Sequence, residues 1–341
     1  MPLFSNPAHQ DSAKNERGLS QAVSLVRATD IDEFLSAVRG YHFGLLQLDR
    51  GPFAGELTQT QLNGVLLTTA HFARAVVQSG EPPAGTITFA VRTSSTPSLW
   101  QGQAFGFHEL VMGRPGVEID MVSHPGYCAA TASFPAKLVE ETAERLGWTL
   151  PPNTSTSALV GIRHDQARAL RAAFNKLFHE AVRRPFDDRS AAWARNKQED
   201  LLRAILQFTF NHLLALEPVA SSERARVLKA ALTAIRDRPE DVLTIGDLCR
   251  IAKASERTLH YAFTEHFGMP PAHYTKVRRL NGARNDLCRE PPMKVSDAAN
   301  NWGFWHLGQF AKDYESLFGE LPSDTLRRRH GFVLGSDVLR S

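Results

Sequence analysis

Four histidines between residues 40 and 135, His42, His71, His108 and His124, are the residues of that stretch that could hold a metal. Metal-binding β-barrels cluster their histidines with a carboxylate on one face. Here the four are scattered, and His108 is directly followed by Glu109. Neighbours on a strand point to opposite faces, so this pair does not share one ion. Cys128 follows Pro125–Gly126–Tyr127 with no base close by in sequence to activate a nucleophile. The other thiols, Cys249 and Cys288, form neither a CxxC pair nor a zinc spacing. GxSxG, P-loop and dinucleotide fingerprints are absent from the sequence. The residues therefore predict no enzyme, no metal and no cofactor. A metal-dependent enzyme fused to a second domain is the minor alternative.

A different pattern carries more. Residues 245–268 read IGDLCRIAKASERTLHYAFTEHFG, and residues 295–319 read VSDAANNWGFWHLGQFAKDYESLFG. Each copy opens with a short helix holding a small residue, Cys249 or Ala299, which lets two helices cross closely. A turn follows, Lys253–Ala254 or Gly303–Phe304. A second helix then buries a pair four residues apart: Leu259 with Phe263, or Phe310 with Tyr314. Ser255 is placed to cap the first of these helices. Both copies close on Phe-Gly, Phe267–Gly268 and Phe318–Gly319, where glycine suits a left-handed cap. This is the arithmetic of two helix-turn-helix units.

The connector strengthens it. Pro270–Pro271 opens a helix to Glu290, and Pro291–Pro292 ends it. Eighteen helical residues span about 27 Å, which with the flanking turns sets the units about one DNA turn apart, about 34 Å. The connector bears Lys276, Arg278, Arg279, Arg284 and Arg289 with Asp286 as the one acid before its end. These charges form either a phosphate-facing surface or a solvated helix face.

The elements that must position these residues follow from composition and periodicity. The chain has 341 residues, 43% hydrophobic and 22% charged, with a net charge of +3. From Arg224 onward there are 19 Lys and Arg against 14 Asp and Glu; the remainder holds 20 against 22. Basicity thus gathers at the C-terminal end, as suits a surface that meets nucleic acid. No stretch reaches the ~20 apolar residues that cross a bilayer, and no signal-peptide core is present, so a cytoplasmic chain with free thiols and no membrane partner is expected. Residues 1–20 are predicted to be a disordered tail, 21–217 an effector-binding and dimerisation domain, 218–223 a linker, 224–330 a DNA-binding domain and 331–341 a C-terminal tail.

Residues 40–135 hold alternating or short apolar runs, such as Tyr41–Leu48, Val65–Leu67 and Ile87–Val91, between turn signals such as Gly80–Glu81–Pro82–Pro83, which predicts strands of a sandwich or barrel. Helices are predicted over Ala136–Leu146, Ile162–Arg183 and Ala191–Leu216. The overall class is α+β. Tyr41, Phe43, Phe89, Trp100, Phe105 and Phe107 line either a pocket or the barrel core, so no ligand residues are assigned.

From about Arg224 to Arg329 the sequence resembles the AraC-type transcriptional regulators. The resemblance rests on Arg279–Leu280 with Ala283, on Gly303–Phe304 with Phe310, and on the closing phrase Phe318–Gly319–Glu320–Leu321–Pro322–Ser323. WGFWHLGQFAKDYESLFGELPS is similar to the branch that includes ethanolamine-operon regulators. The resemblance implies a seven-helix DNA-binding domain with one recognition helix per unit, preceded by a cupin-like β-barrel that binds a small effector, with helices that pair two chains. Packing within one chain is the alternative for those helices.

By position, the first recognition helix presents Glu256, Arg257, His260 and Tyr261. The second presents Trp305, His306, Leu307, Gln309 and Lys312. Arg257 is suited to guanine, Gln309 to adenine or a phosphate, and Trp305 and Leu307 to thymine methyls. Trp305 either reaches the surface or packs under the turn. Ser255, Lys276, Arg278, Arg279 and Lys312 are expected to hold phosphate, which positions without specifying. Tyr261 stands where family members often carry arginine, and Lys253 where they carry glycine or another turn-tolerant residue. The implied partners are double-stranded DNA, a small-molecule effector, RNA polymerase and a second copy of the chain. Activation is the commoner mode in the family. The competing reading is a regulator whose first domain binds a protein instead of a metabolite.

Overall fold

The computed structural model describes residues 23–96, 98–148, 150, 158–183, 188–213, 222–238 and 242–331. The predicted tails at 1–20 and 332–341, and residues 218–221 of the predicted linker, lie outside the described residues. Two compact units are formed. One takes the described residues up to Leu45 and from Ala54 to the end of the long helices. The other takes Leu46–Phe53 together with the residues from Ser222 onward.

In chain order the first unit is built from β1 (Ser24–Ala28), α1 (Ile31–Ala37), β2 (His42–Gln47, of which Leu46 and Gln47 count with the second unit), β3 (Gly55–Leu62), β4 (Val65–Phe72), β5 (Val76–Glu81), β6 (Thr86–Arg92), β7 (Ser98–Trp100), β8 (Gln103–Ala104), β9 (Glu109–Gly113), β10 (Ile119–Ser123), β11 (Tyr127–Pro135), α2 (Ala136–Arg145), β12 (Ala158–Gly161), α3 (His164–Arg183) and α4 (Asp188–Leu213). The strands form two antiparallel sheets, ordered β1-β3-β4-β11-β6-β9-β12 and β2-β5-β10-β7-β8. The α+β plan holds, and its β part consists of two separate sheets. Asn63 and Gly64 join β3 to β4 with positive φ at both positions (47° and 82°). That is the twist a two-residue hairpin between right-twisted strands requires.

The larger sheet has two chemically different faces, set by strict alternation. Leu67, Phe89, Leu110, Ala130, Ala132 and Phe134 point to one side and join a single apolar cluster with α2, α3 and α4. Leu170, Phe174 and Leu177 of α3, and Leu201, Leu202 and Ile205 of α4, complete that cluster. The stripes of the two long helices are thus packed within the chain. The opposite face is polar. One row across the sheet runs Gln59, Thr68, Thr131 and Ala90; the next runs Leu57, Ala70, Ala129 and Arg92.

The second unit adds α5 (Glu223–Asp237), α6 (Ile245–Ala252), α7 (Glu256–Phe267), α8 (Pro271–Cys288), α9 (Val295–Asn301), α10 (Leu307–Phe318) and α11 (Pro322–His330), seven helices among the described residues. Local sequence fixes their ends. Ser222 caps α5 by accepting from the Ala225 N–H. Thr244 and Asp247 cap each other's backbone at α6. Gly268 and Gly319 close α7 and α10 in the left-handed conformation. Lys253 ends α6 in that conformation too, at φ 50°.

Candidate nucleic-acid interface

The two predicted units are present with matched geometry. In the first, α6 and α7 meet over buried Leu248, Ala252, Leu259 and Phe263. Cys249 is half-buried, so fully buried Ala252 is the small residue at the close approach. In the second, Ala298, Ala299, Phe304, Phe310 and Tyr314 are buried. The connector α8 packs on both units through Tyr274, Val277, Leu280 and Ala283. Gly282 is where α8 meets the second unit closely: a Cβ there would lie 2.3 Å from the Trp302 ring. Trp302 is held in that place by its indole N–H, which donates to Asp286 Oδ2 at 2.9 Å.

On α7, Glu256, Arg257, His260 and Tyr261 are all exposed and occupy one face, as their spacing of one, four and five residues dictates. Ser255 is the N-cap and accepts from the Thr258 N–H at 3.1 Å. Its hydroxyl is thereby engaged by its own helix. Arg257 donates to the Tyr261 hydroxyl at 3.2 Å, and its guanidinium lies 5.3 Å from that ring. Arg224 of α5 stands 5.4 Å from the same ring and pairs with Glu265. Tyr261 thus steers two guanidinium groups on this face, one of them, Arg224, not foreseen from the sequence.

On the second unit, Leu307, Gln309 and Lys312 lie exposed along α10. Trp305 and His306 precede it: His306 is the N-cap, with extended backbone, and Trp305 sits in the turn. The helix α10 therefore begins after Trp305 and His306, which the sequence reading had placed on it. Trp305 is 72% exposed, so it stands on the surface and does not pack under the turn. Gln309 donates to Asp313 Oδ1 at 3.1 Å, and Lys276 of α8 pairs with Asp313 Oδ2 at 2.7 Å. Asp313 thus ties the connector to α10.

The connector cations divide by environment. Arg284 is almost fully buried and pairs with Glu320 at 2.7 Å. Arg289 pairs with Asp286. Arg279 lies 4.6 Å from the Phe304 ring, and burial lowers its pKa from the ordinary arginine value. Burial lowers that of Arg278 as well. Lys276, Arg278 and Arg279 line a cavity of about 240 Å³ together with Arg238 and the Thr244 end of α6. Three of the predicted phosphate-holding residues are thus brought together, with a fourth cation that the sequence reading did not assign.

Residues 248–328 match the helix-turn-helix domain family. The second unit thus contains a DNA-binding domain of the helix-turn-helix class, and its type is that of the AraC transcriptional regulators. XylDLEGF operon transcriptional activator 3 of Pseudomonas putida is 39% identical over 97 residues, 28% of this chain and 29% of that protein. The probable thc operon regulatory protein of Rhodococcus erythropolis is 33% identical over 103 residues, 30% of this chain and 31% of that protein. The chain therefore spans under a third of the length of these relatives. Among solved structures, the AraC-like transcriptional activator CuxR is 14% identical with a TM-score of 0.43, covering 77% of this chain and 95% of that one. The matching domain family is one of DNA-binding regulators and not of enzymes. Among the described residues no helix is long and apolar enough to cross a membrane, and no group of three or more His, Cys, Asp or Glu is placed to hold a metal.

Proposed function

We propose that the chain is a sequence-specific transcription regulator, an activator that responds to a small molecule bound by its first unit. The observation that carries the DNA part is the pair of exposed faces, α7 with Arg257 and α10 with Gln309, joined by one 18-residue helix. That connector is about 27 Å long, so with its turns the two faces suit successive major grooves. In this reading Glu256, Arg257, His260, Tyr261, Trp305, His306, Leu307 and Gln309 meet base edges. Lys312, Lys276, Arg278, Arg279 and Arg238 hold phosphates, and Ser255 serves by capping α7. RNA polymerase and a second copy of the chain are the expected partners in the cytoplasm. Since the stripes of α3 and α4 are packed in the core, a dimer would use their outer, polar faces.

The test is fluorescence anisotropy of the full chain on its own upstream intergenic DNA against a scrambled duplex, across a salt series. Selective binding with a steep salt slope is expected. Arg257→Ala should cost about 1–3 kcal/mol and relax preference at one base pair. Equal binding to both duplexes under all salts, with or without added metabolites, would refute the regulator reading. Unchanged specificity in the variant would refute the assigned register.

A further inference from the structure

The cavity of about 240 Å³ in the second unit lies where the end of α5, the start of α6 and one side of α8 come together. Its α8 side is a single stripe: Ala272, Thr275, Lys276 and Arg279 all line it, and their spacing of three and four residues puts them on one helix face. Arg278 of the same helix and Arg238, which ends α5, line it as well. The α5 and α6 sides are mostly apolar, built from Ile235, Val242, Leu243 and Ile245. Among the described residues no Asp or Glu lines the space.

Four cations around one small space repel each other, and little on the protein offsets them. Lys276 pairs with Asp313. Arg278 and Arg279 are half-buried and pair with no carboxylate among the described residues. Arg279 has the Phe304 ring at 4.6 Å. A ring engages the face of a guanidinium and leaves its in-plane N–H fork unused. Arg278 has a further cation, Arg236, near enough to act on it. Charges taken partly out of water call for a counter-charge, and here the groups that lack one border an open space.

We propose that this cavity binds a small organic phosphate monoester. Its terminal oxygens accept from Arg278 and Arg279, Arg238 and Lys276 add charge, and its organic group lies on Ile235, Val242 and Ile245. Near neutral pH a phosphate monoester carries close to two negative charges and three acceptor oxygens, which suits guanidinium forks. A monocarboxylate offsets only one charge. The cavity is smaller than the roughly 300–1,000 Å³ of pockets for drug-sized ligands, so the organic group is a short chain or a single ring. The inference rests on the reading of these cations as phosphate holders, and it gives them a free ligand besides the DNA backbone. Val242 and Arg279 also flank the turn before α10: a Cβ on Gly303 would lie 2.4 Å from Val242 and 3.4 Å from Arg279. A bound ester thus withholds cations from DNA and bears on the turn that positions α10.

The experiment is isothermal titration calorimetry of the full chain, free of DNA and in phosphate-free buffer, with phenyl phosphate and propyl phosphate as probes. Inorganic phosphate, dimethyl phosphate and benzoate are the controls. Saturable binding of an ester to one site per chain is expected, about tenfold or more tighter than any control. The Thr275 hydroxyl is spent within its own helix on the Ala272 carbonyl, and Thr275 has no assigned DNA contact. Thr275→Leu puts a larger apolar group into the cavity wall and should weaken the ester about tenfold while selective DNA binding stays as in wild type. Arg278→Gln should weaken the ester by at least about as much, and circular dichroism establishes that each variant is folded. No saturable binding of either ester, inorganic phosphate or benzoate binding as tightly as the esters, or unchanged affinity in both variants would overturn the proposal. Dimethyl phosphate, a diester like the DNA backbone, binding as tightly as the monoesters would mark a seat for DNA alone and overturn it too. Ester binding that leaves DNA affinity unchanged in the anisotropy assay would uphold the site and overturn the reading of these cations as backbone holders.

Discussion

Arg284 and Glu320 give the sharpest test of how the second unit is held together. Arg284 projects from α8 into the second helix-turn-helix unit, where its side chain is 5% exposed. Glu320, in the turn between α10 and α11, accepts through Oε1 from Arg284 at 2.7 Å, from the Thr325 hydroxyl at 2.7 Å and from Arg328 at 2.8 Å. The Tyr314 hydroxyl bonds Thr325 at 2.8 Å, and burial raises its pKa. Replacing Glu320 by alanine takes the Oε1 acceptor away from a buried guanidinium that also meets the Tyr314 and Thr325 hydroxyls and the Phe318 ring. Losing one partner of a buried pair costs about 3–5 kcal/mol. Glu320 retains a path to water (24% exposed), so about 2–3 kcal/mol is expected at this site, lowering the unit's thermal midpoint by about 10 °C. Arg284→Met removes the charge while keeping an apolar stem. The double variant Arg284→Met, Glu320→Ala should then be more stable than Glu320→Ala alone, because no buried charge is left unmatched. The assay is urea unfolding of the four proteins as a double-mutant cycle. Additive losses, with a coupling energy under about 0.5 kcal/mol, would show that the pair contributes nothing beyond its packing.

Other outcomes follow from the same unit. Lys253 sits at φ 50°, which a Cβ disfavours by about 1 kcal/mol; Lys253→Gly should raise stability by about 0.5 kcal/mol after the unfolded-state entropy of glycine is counted, read from the urea midpoint. Gly282→Ala would drive a Cβ to 2.3 Å from Trp302 and should cost about 2–3 kcal/mol, with loss of selective DNA binding in the anisotropy assay. His266 is buried, and desolvation lowers its pKa to about 4 against 6.5 in the open chain. Between those values the unfolded chain holds the proton and the folded chain does not, so stability is full above about pH 6.5 and falls towards pH 4. Wild type should lose about 2 kcal/mol between pH 7.5 and 5 relative to His266→Leu; parallel pH profiles would contradict this.

The helix-turn-helix pair was legible because its landmarks are local. Phe267–Gly268 and Phe318–Gly319, the Ser255 cap and the bracketing prolines of α8 each act within a few residues of themselves. The exposed faces followed from helical spacing alone. What spacing does not reveal is which charges a neighbouring element claims: Arg284 read as one more connector cation until Glu320, 36 residues on, was seen to hold it. In the first unit the alternation of Thr86–Arg92 announced a strand with two unlike faces. Alternation is silent on whether the polar face meets water or another sheet, so Thr68, Thr88, Arg92 and Thr131 went unassigned. Phe89, weighed as a pocket residue, belongs to the helix-covered core, while Trp100 faces the sheet interior. The short elements β1, α1 and β12 carried too few residues for periodicity to register.

Leu46–Phe53 belongs to the second unit although in sequence it falls between residues of the first. The backbone of Gln47 is bonded in both directions to the Asn281 side chain, each at 3.0 Å, and its own amide reaches the Leu317 carbonyl at 2.7 Å. During synthesis Gln47 is made 234 residues before Asn281, on the order of 10–50 s earlier at ribosomal rates. The eight-residue piece must therefore wait, unpaired, for its counterpart. A gene fragment begun at the interdomain linker omits it for good, taking the Gln47 N–H from Asn281 Oδ1 on α8 and the Gln47 and Gly51 donors from the Leu317 carbonyl on α10. The smallest faithful excision of the DNA-reading half is consequently a graft of two separated stretches of chain, not a single cut.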